Sequence, residues 1–331
     1  MCLITLMQHQ FRNIIMCAIL GCGVMFASAR DFVVVLDPGH GGKDTGTVGK
    51  KLKEKDVVLD VAKKLGKKLS ADNDGCKVVY TRDGDYFVTL QNRADIANKA
   101  DADLFVSIHV NSLPTNRKGR EQVHGASVYT LGLDKSSNNL SVAMSENSVM
   151  ELESDYTTTY HGFDPNSAES YIIFELDQNV HLKQSLDFAS MAQNELVSTA
   201  GRADRKIHQA GFWVLWATSK PAVLVELDFM CNPNVEAFLG SDAGKEKCAT
   251  ALYNAVRKYR AENERADGAI SAVTESAPTR VQAAQVSDAS SEPKPYYTSL
   301  PTVSESSQDD QPKQDAEATP ATKRRRIKSA K

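Results

Sequence analysis

The sequence has no CxxC pair, no apolar run long enough to cross a bilayer and no strong excess of either charge. Each absence excludes a class. Six cysteines without such pairing rule out a zinc ribbon and a cysteine-stapled miniprotein. A membrane span needs roughly 18 consecutive apolar residues, and none is present. The 39 Lys and Arg residues nearly balance 42 Asp and Glu, so no global field favours nucleic acid. GxSxG is absent too, and Gly39-x-Gly41-Gly42 has neither the spacing nor the Lys-Ser/Thr of a nucleotide loop. What remains is a 331-residue chain, 41% hydrophobic, able to bury a core in one or two domains.

The two ends differ from the middle. Arg12 is the only charge among the first 29 residues, and Ala27-Ser28-Ala29 supplies a small-x-small cleavage site after the uncharged stretch Ile14 to Phe26. This predicts a signal peptide over 1–29 and an exported, periplasmic protein with no transmembrane anchor after cleavage. A competing reading has Ile19-Leu20-Gly21 as a lipobox and Cys22 as a lipid anchor. Cleavage near Ala29 leaves Cys76, Cys231 and Cys248, which allow at most one disulfide and read as small apolar core residues. From Glu264 onward, 68 residues hold seven Leu, Ile, Val or Phe and six of the eleven prolines. Such a segment cannot offset its ordering entropy, which predicts a disordered tail over 263–331. It ends in the basic cluster Lys323–Lys331, suited to an anionic polymer or lipid, or simply to solvent.

Residues 30–262 alternate between two periodicities. Phe32–Leu36, Lys77–Thr81, Leu104–His109, Val128–Leu131 and Ala222–Glu226 read as strands, the first and third as continuous apolar runs. Val57, Val58, Val61, Ala62, Leu65 and Leu69 recur at helical spacing, as do residues of Leu90–Ala100 and Ala243–Tyr259. The rhythm predicts a layered α/β domain with a twisted, largely parallel or mixed sheet flanked by helices. The stretch 136–200 breaks it, with helical segments at Asn138–Leu152 and His181–Leu196, and reads as a helical insertion between two strands.

Three polar residues sit where apolar elements end. His40 follows the first strand in a turn forced by Pro38 and three glycines, His109 closes its strand, and Glu54 precedes the helix beginning near Val57. Carboxyl ends of strands in an open α/β sheet share a ligand-binding rim. Two imidazoles and a carboxylate meeting there are the donor set of a hydrolytic zinc site. Taken singly, each has an ordinary structural explanation; the set carries the inference. Glu226 ends an Ala-Val-Leu-Val run, where burial is costly without a partner, and is the candidate proton acceptor. A salt bridge at a strand end is the plainer alternative.

These segments together resemble the zinc-dependent N-acetylmuramoyl-L-alanine amidases of bacterial cell walls, of the cell-separation type. The matching motifs are Leu36–Gly42 with Asp44 and Gly46, Glu54–Asp56, Thr81-Arg82 with Asp85 and Arg93, Ser107–Ser112, and Val225-Glu226 with Asn232-Pro233. The resemblance implies that His40, Glu54 and His109 hold Zn2+, that Glu226 is the catalytic carboxylate, and that the substrate is peptidoglycan. The sequence departs from the family at Leu227-Asp228, where a small residue and glycine are usual. The inserted region resembles one that shuts the site in cell-separation amidases until an activator protein displaces it. Glu146 is then a possible autoinhibitory group reaching the zinc, so that replacing it or deleting 136–200 raises basal hydrolysis. Two rivals stay open: a zinc carboxypeptidase acting on the stem peptides, and a non-catalytic wall-binding or adaptor protein.

Overall fold

A computed structural model describes residues 30–276, apart from 73–74, 133–135 and 177–179. The leader with Cys22 and the tail with Lys323–Lys331 lie outside the described residues. Six strands form one sheet in the order β2-β1-β3-β6-β4-β5. They are β1 (Phe32–Pro38), β2 (Cys76–Tyr80), β3 (Leu104–Asn111), β4 (Ala126–Leu131), β5 (Asp204–Ala210) and β6 (Ala222–Phe229). β2, β1, β3 and β6 run parallel; β4 pairs antiparallel with β6 and parallel with β5. The sheet is therefore mixed. Its catalytic-side rim combines the carboxyl ends of β1, β3 and β6 with the amino ends of β4 and β5.

Alternation along the strands builds two cores, one on each face. Val34, Leu36, Val106, Ile108 and Val225 point to the first, under α1 (Glu54–Ala71). Val35, Phe105, Leu224 and Tyr129 point to the second, which packs against α2 (Leu90–Lys99) and the aromatic residues Tyr160, Phe163, Tyr171, Phe174 and Trp213. The register Asp37↔Ser107↔Leu224 and His109↔Glu226 puts these polar residues on that second face.

The inserted segment is shorter than 136–200. It starts with α3 (Ser137–Asn147), but α4 (Leu182–Ser198) belongs to the core. Phe188, Ala189, Ala192 and Leu196 of α4 are fully buried with the first core. α4 is the crossover that joins two parallel strands, β4 and β5. Its apolar spacing resembles that of any surface helix, so the sequence did not separate it from the insertion. β5 was not anticipated, because its residues Asp204–Ile207 lack an apolar pattern and it lies at the sheet edge. β6 runs on through Phe229, which puts Glu226 inside the strand. Glu54 is the first residue of α1 and not a residue ahead of it. After α5 (Pro233–Gly240), α6 (Asp242–Ser276) extends well past Tyr259 and past the 262 boundary expected for the domain. Among the described residues no disulfide joins Cys76, Cys231 and Cys248, and no helix is long and apolar enough to cross a membrane.

Beneath the turn that follows β1 lies a buried charge network. Asp37 accepts from Arg93 Nη1 at 2.7 Å, Ser107 Oγ at 2.7 Å and Thr81 Oγ1 at 2.5 Å. Burial raises its pKa, but Arg93 and the two hydroxyls outweigh that and hold the carboxyl below its ordinary range. Removing one partner of a buried pair leaves the other uncompensated. Asp37→Ala is expected to cost about 3–5 kcal/mol, read as a lowered urea midpoint at unchanged m-value.

Candidate metal centre

His40 has a φ of 61°, in the left-handed region that non-glycine residues seldom occupy. Two arginines hold that turn from below. Arg82, fully buried, donates to the carbonyls of Pro38, Gly39 and Lys55; Arg93 donates to those of Pro38 and His40. Gly39 lets His109 approach: a Cβ there would lie 2.3 Å from His109 Cε1. Gly46 does the same for His40 and Glu54, at 2.5 and 2.6 Å.

Four side chains from separate elements converge above this turn. Glu54 Oε1 lies 3.1 Å from His40 Nε2 and 3.2 Å from His109 Nδ1. Glu146 Oε2, from α3, lies 3.3 Å and 3.0 Å from the same two nitrogens. One donor atom from each of the four falls within 4.8 Å of the others. Ligands about 2.0–2.1 Å from a tetrahedral zinc ion are about 3.3 Å apart, so the spacing suits such an ion. Each group is also oriented from behind. His40 Nδ1 is 2.7 Å from Asp44 Oδ2, which leaves Nε2 for a cation. Glu54 accepts from the Thr47 and Val110 amides, both at 2.8 Å. By contrast His40 Nε2, His109 Nδ1 and Glu146 Oε2 are buried with no hydrogen-bond partner. Orphaned donors turned toward one point are what a metal cluster requires.

The charge states agree. Burial by itself lowers the proton affinity of both imidazoles, yet facing carboxylates reverse the outcome. Glu54 and Asp44 carry His40 well above its ordinary value, and Glu146 carries His109 up to about 10. Burial pushes the two acids up, and the histidines overcome it, so that Glu54 falls well below its ordinary value and Glu146 to about 2. Without a cation the two carboxylates are therefore balanced by protons on the two imidazoles, the positive charge that a bound metal ion would replace.

Glu226 stands beside His109 in register, 1% exposed, with neither carboxylate oxygen hydrogen-bonded. Burial first, and then the Glu146 charge, raise its pKa well above the ordinary carboxylate value. A buried acid without a structural partner excludes the plain salt-bridge explanation. Its neighbour Asp228 has such an explanation: it pairs with Arg202 at 3.0 Å and accepts from the Gly125 amide at 2.7 Å. That anchor occupies the position at which the sequence departs from the family pattern.

α3 closes the site. Asn147, next to Glu146, donates to Gly211 O at 2.8 Å and Tyr171 Oη at 3.1 Å and accepts from the Trp213 amide at 2.9 Å. The space left between His40, His109, Glu146 and Phe212 is about 20 Å³, room for about one water and not for a sugar. Asp44, Arg82 and Arg93 were visible only as motif positions, and nothing in the sequence singled out Asn147.

A family model described as N-acetylmuramoyl-L-alanine amidase matches residues 34–258. The chain is 39% identical over 228 residues to the N-acetylmuramoyl-L-alanine amidase AmiA of Escherichia coli K12, covering 69% of this chain and 75% of that one. Among solved structures, the N-acetylmuramoyl-L-alanine amidase AmiC2 of Nostoc punctiforme is 28% identical with a TM-score of 0.50, covering 69% of this chain and 96% of that one. An N-acetylmuramoyl-L-alanine amidase from Clostridium difficile 630 is 27% identical with a TM-score of 0.51, covering 70% and 97%. The match spans both cores and all four converging segments, and the chain belongs to the N-acetylmuramoyl-L-alanine amidase family.

Proposed function

We propose that the protein hydrolyses the amide between N-acetylmuramic acid and L-alanine in peptidoglycan, with zinc held by His40, Glu54 and His109 and with Glu226 as proton carrier. The observation that carries this is the convergence of the three donors beside a buried, unpartnered carboxylate. Zinc, when bound, supplies Lewis acidity toward the carbonyl under attack and lowers the pKa of water toward neutrality. Asp44 fixes the His40 ring, and the Thr47 and Val110 amides fix Glu54, so the donors need no reorganisation. Glu226 takes the proton of the attacking water and delivers it to the departing amine nitrogen. Its proton affinity is raised by burial and then by the Glu146 charge, and a cation held by the cluster would lower it.

Glu146 makes the resting state latent. Its oxygen takes the fourth corner of the donor set, where water must stand for hydrolysis. A partner protein that displaces α3 then acts as an activator. The segment 1–29 directs the chain out of the cytoplasm to the wall, where controlled cutting serves remodelling or daughter-cell separation.

Glu226→Gln is expected to lower amidase turnover about 10²–10⁴-fold at unchanged zinc content, measured by muropeptide product analysis beside elemental analysis. Appreciable release of the L-alanine amine by this variant would remove Glu226 from its role. His109→Ala is expected to lose zinc from the folded chain, and retention of one zinc per chain rules out the assigned donor set. Glu146→Ala is expected to raise basal hydrolysis roughly tenfold or more. Deleting 136–200 is not an equivalent test, because it removes the core helix α4.

A further inference from the structure

A groove of about 940 Å³ leads along β4 and β5 to Glu146. Its walls include Arg117, Arg205, Ser127, Tyr129 and Phe229, and among the described residues Glu146 is the only carboxylate that lines it. That carboxylate lies 3.3 and 3.0 Å from two imidazole nitrogens, whose positive charge offsets its own. Neither Arg117 nor Arg205 has an ion-pair partner among the described residues, whereas Arg30, Arg93 and Arg202 each pair with an aspartate. Among the described residues the groove therefore carries uncompensated positive charge, and it opens onto the cluster.

Arg205 is placed there by a break in the ladder. Ala126 pairs with Asp204 but Val128 pairs with Ile207, so the one residue between them on β4 faces two on β5. Lys206, with a φ of 76°, takes up the extra residue. A bulge of this kind re-aims a side chain. Ser127, at the bulge, is the register partner of Glu226, and Glu226 that of His109. His109, Glu226 and Ser127 form one row, and Arg205 stands across the bulge from Ser127 at its end. Two strand spacings put the Arg205 backbone roughly 10 Å from that of Glu226. The guanidinium lies 4.9 Å from the Phe229 ring centroid, which steadies an otherwise exposed side chain. Gly125 makes room for its stem, since a Cβ there would lie 2.8 Å from Arg205 Cγ.

We propose that Arg205 is a specificity-determining residue that binds a free carboxylate on the second residue of the peptide whose N-terminal amide is cut, an inference that rests on the amidase reading above. One residue of extended chain covers about 3.5 Å, so such a carboxylate lies about 7 Å from the cut bond, within reach of an arginine in this row. In peptidoglycan the second stem residue is D-glutamate joined through its side-chain carboxyl, which leaves the α-carboxylate free unless it is amidated. A guanidinium pairs with a carboxylate bidentately and gains nothing comparable from a carboxamide. The protein is therefore selective for the acidic stem over the amidated one.

The probes are the unhydrolysable dipeptides L-alanyl-D-glutamate and L-alanyl-D-isoglutamine, each capped at the side-chain carboxyl as the methylamide, titrated into the full chain bearing Glu146→Ala and followed by NMR shifts. The acidic dipeptide is expected to bind about tenfold more tightly, and Arg205→Gln to abolish that preference while Arg205→Lys restores part of it. Equal binding of the two dipeptides, no binding of either, or a preference that survives Arg205→Gln overturns the proposal. Turnover of the matching muramyl dipeptides reports separately on the amidase reading. Selective binding without release of the L-alanine amine counts against that reading and leaves the carboxylate subsite standing.

Discussion

The metal centre depends on a charge balance located underneath it. Arg82 and Arg93 reach the turn after β1 from below and tie down the carbonyls of Pro38, Gly39 and His40. Two guanidiniums in one interior cost desolvation and repel, and burial followed by Arg93 draws the Arg82 pKa down to about 10. Asp37 is the carboxylate that makes the arrangement tolerable, since it pairs with Arg93 and is itself held by Thr81 and Ser107. The return on this is the left-handed backbone of His40, which turns the imidazole toward His109. A strained residue persists where its surroundings over-determine it, and here four guanidinium contacts do so.

Much of this was legible in the sequence because the signals were local. Continuous apolar runs marked β1, β3 and most of β6, and glycine with proline after β1 announced a sharp turn. The donor set His40, Glu54 and His109 stood at element ends, where a rim is built. What escaped was decided by context. β5 is an edge strand whose polar side chains carry no alternation. α4 has the pattern of a helix packed on one face, and only its place between two parallel strands shows that it is core. The role of Asn147 depends on Gly211 and Trp213, more than sixty residues away. Nor does spacing reveal that Glu226 lies inside a strand, because an acidic residue in an apolar run reads as its end.

The reversal of β4 and β5 relative to the other four strands has a functional side. In a wholly parallel sheet the rim would consist of carboxyl ends alone. Here the amino ends of two strands complete it, and they contribute Ser127 and Arg205 to the row that begins at His109. The proposed chemistry and the proposed recognition would therefore share one line of side chains across four strands. The aromatic residues of the inserted segment pack on the same face.

Glu146 and Asn147 are consecutive, on the last turn of α3, and they face different partners. A rigid helix cannot swing the first out of the cluster while the second keeps its three hydrogen bonds. At about 1 kcal/mol each, those bonds make the partly lifted state rarer by about a hundredfold. Thermal jostling of α3 is thus poorly rewarded, and a weak, glancing touch releases nothing. Under the latch proposed above, release has a threshold: a binder must engage the helix strongly enough to break plug and pin together, which converts a continuous pull into an all-or-none response.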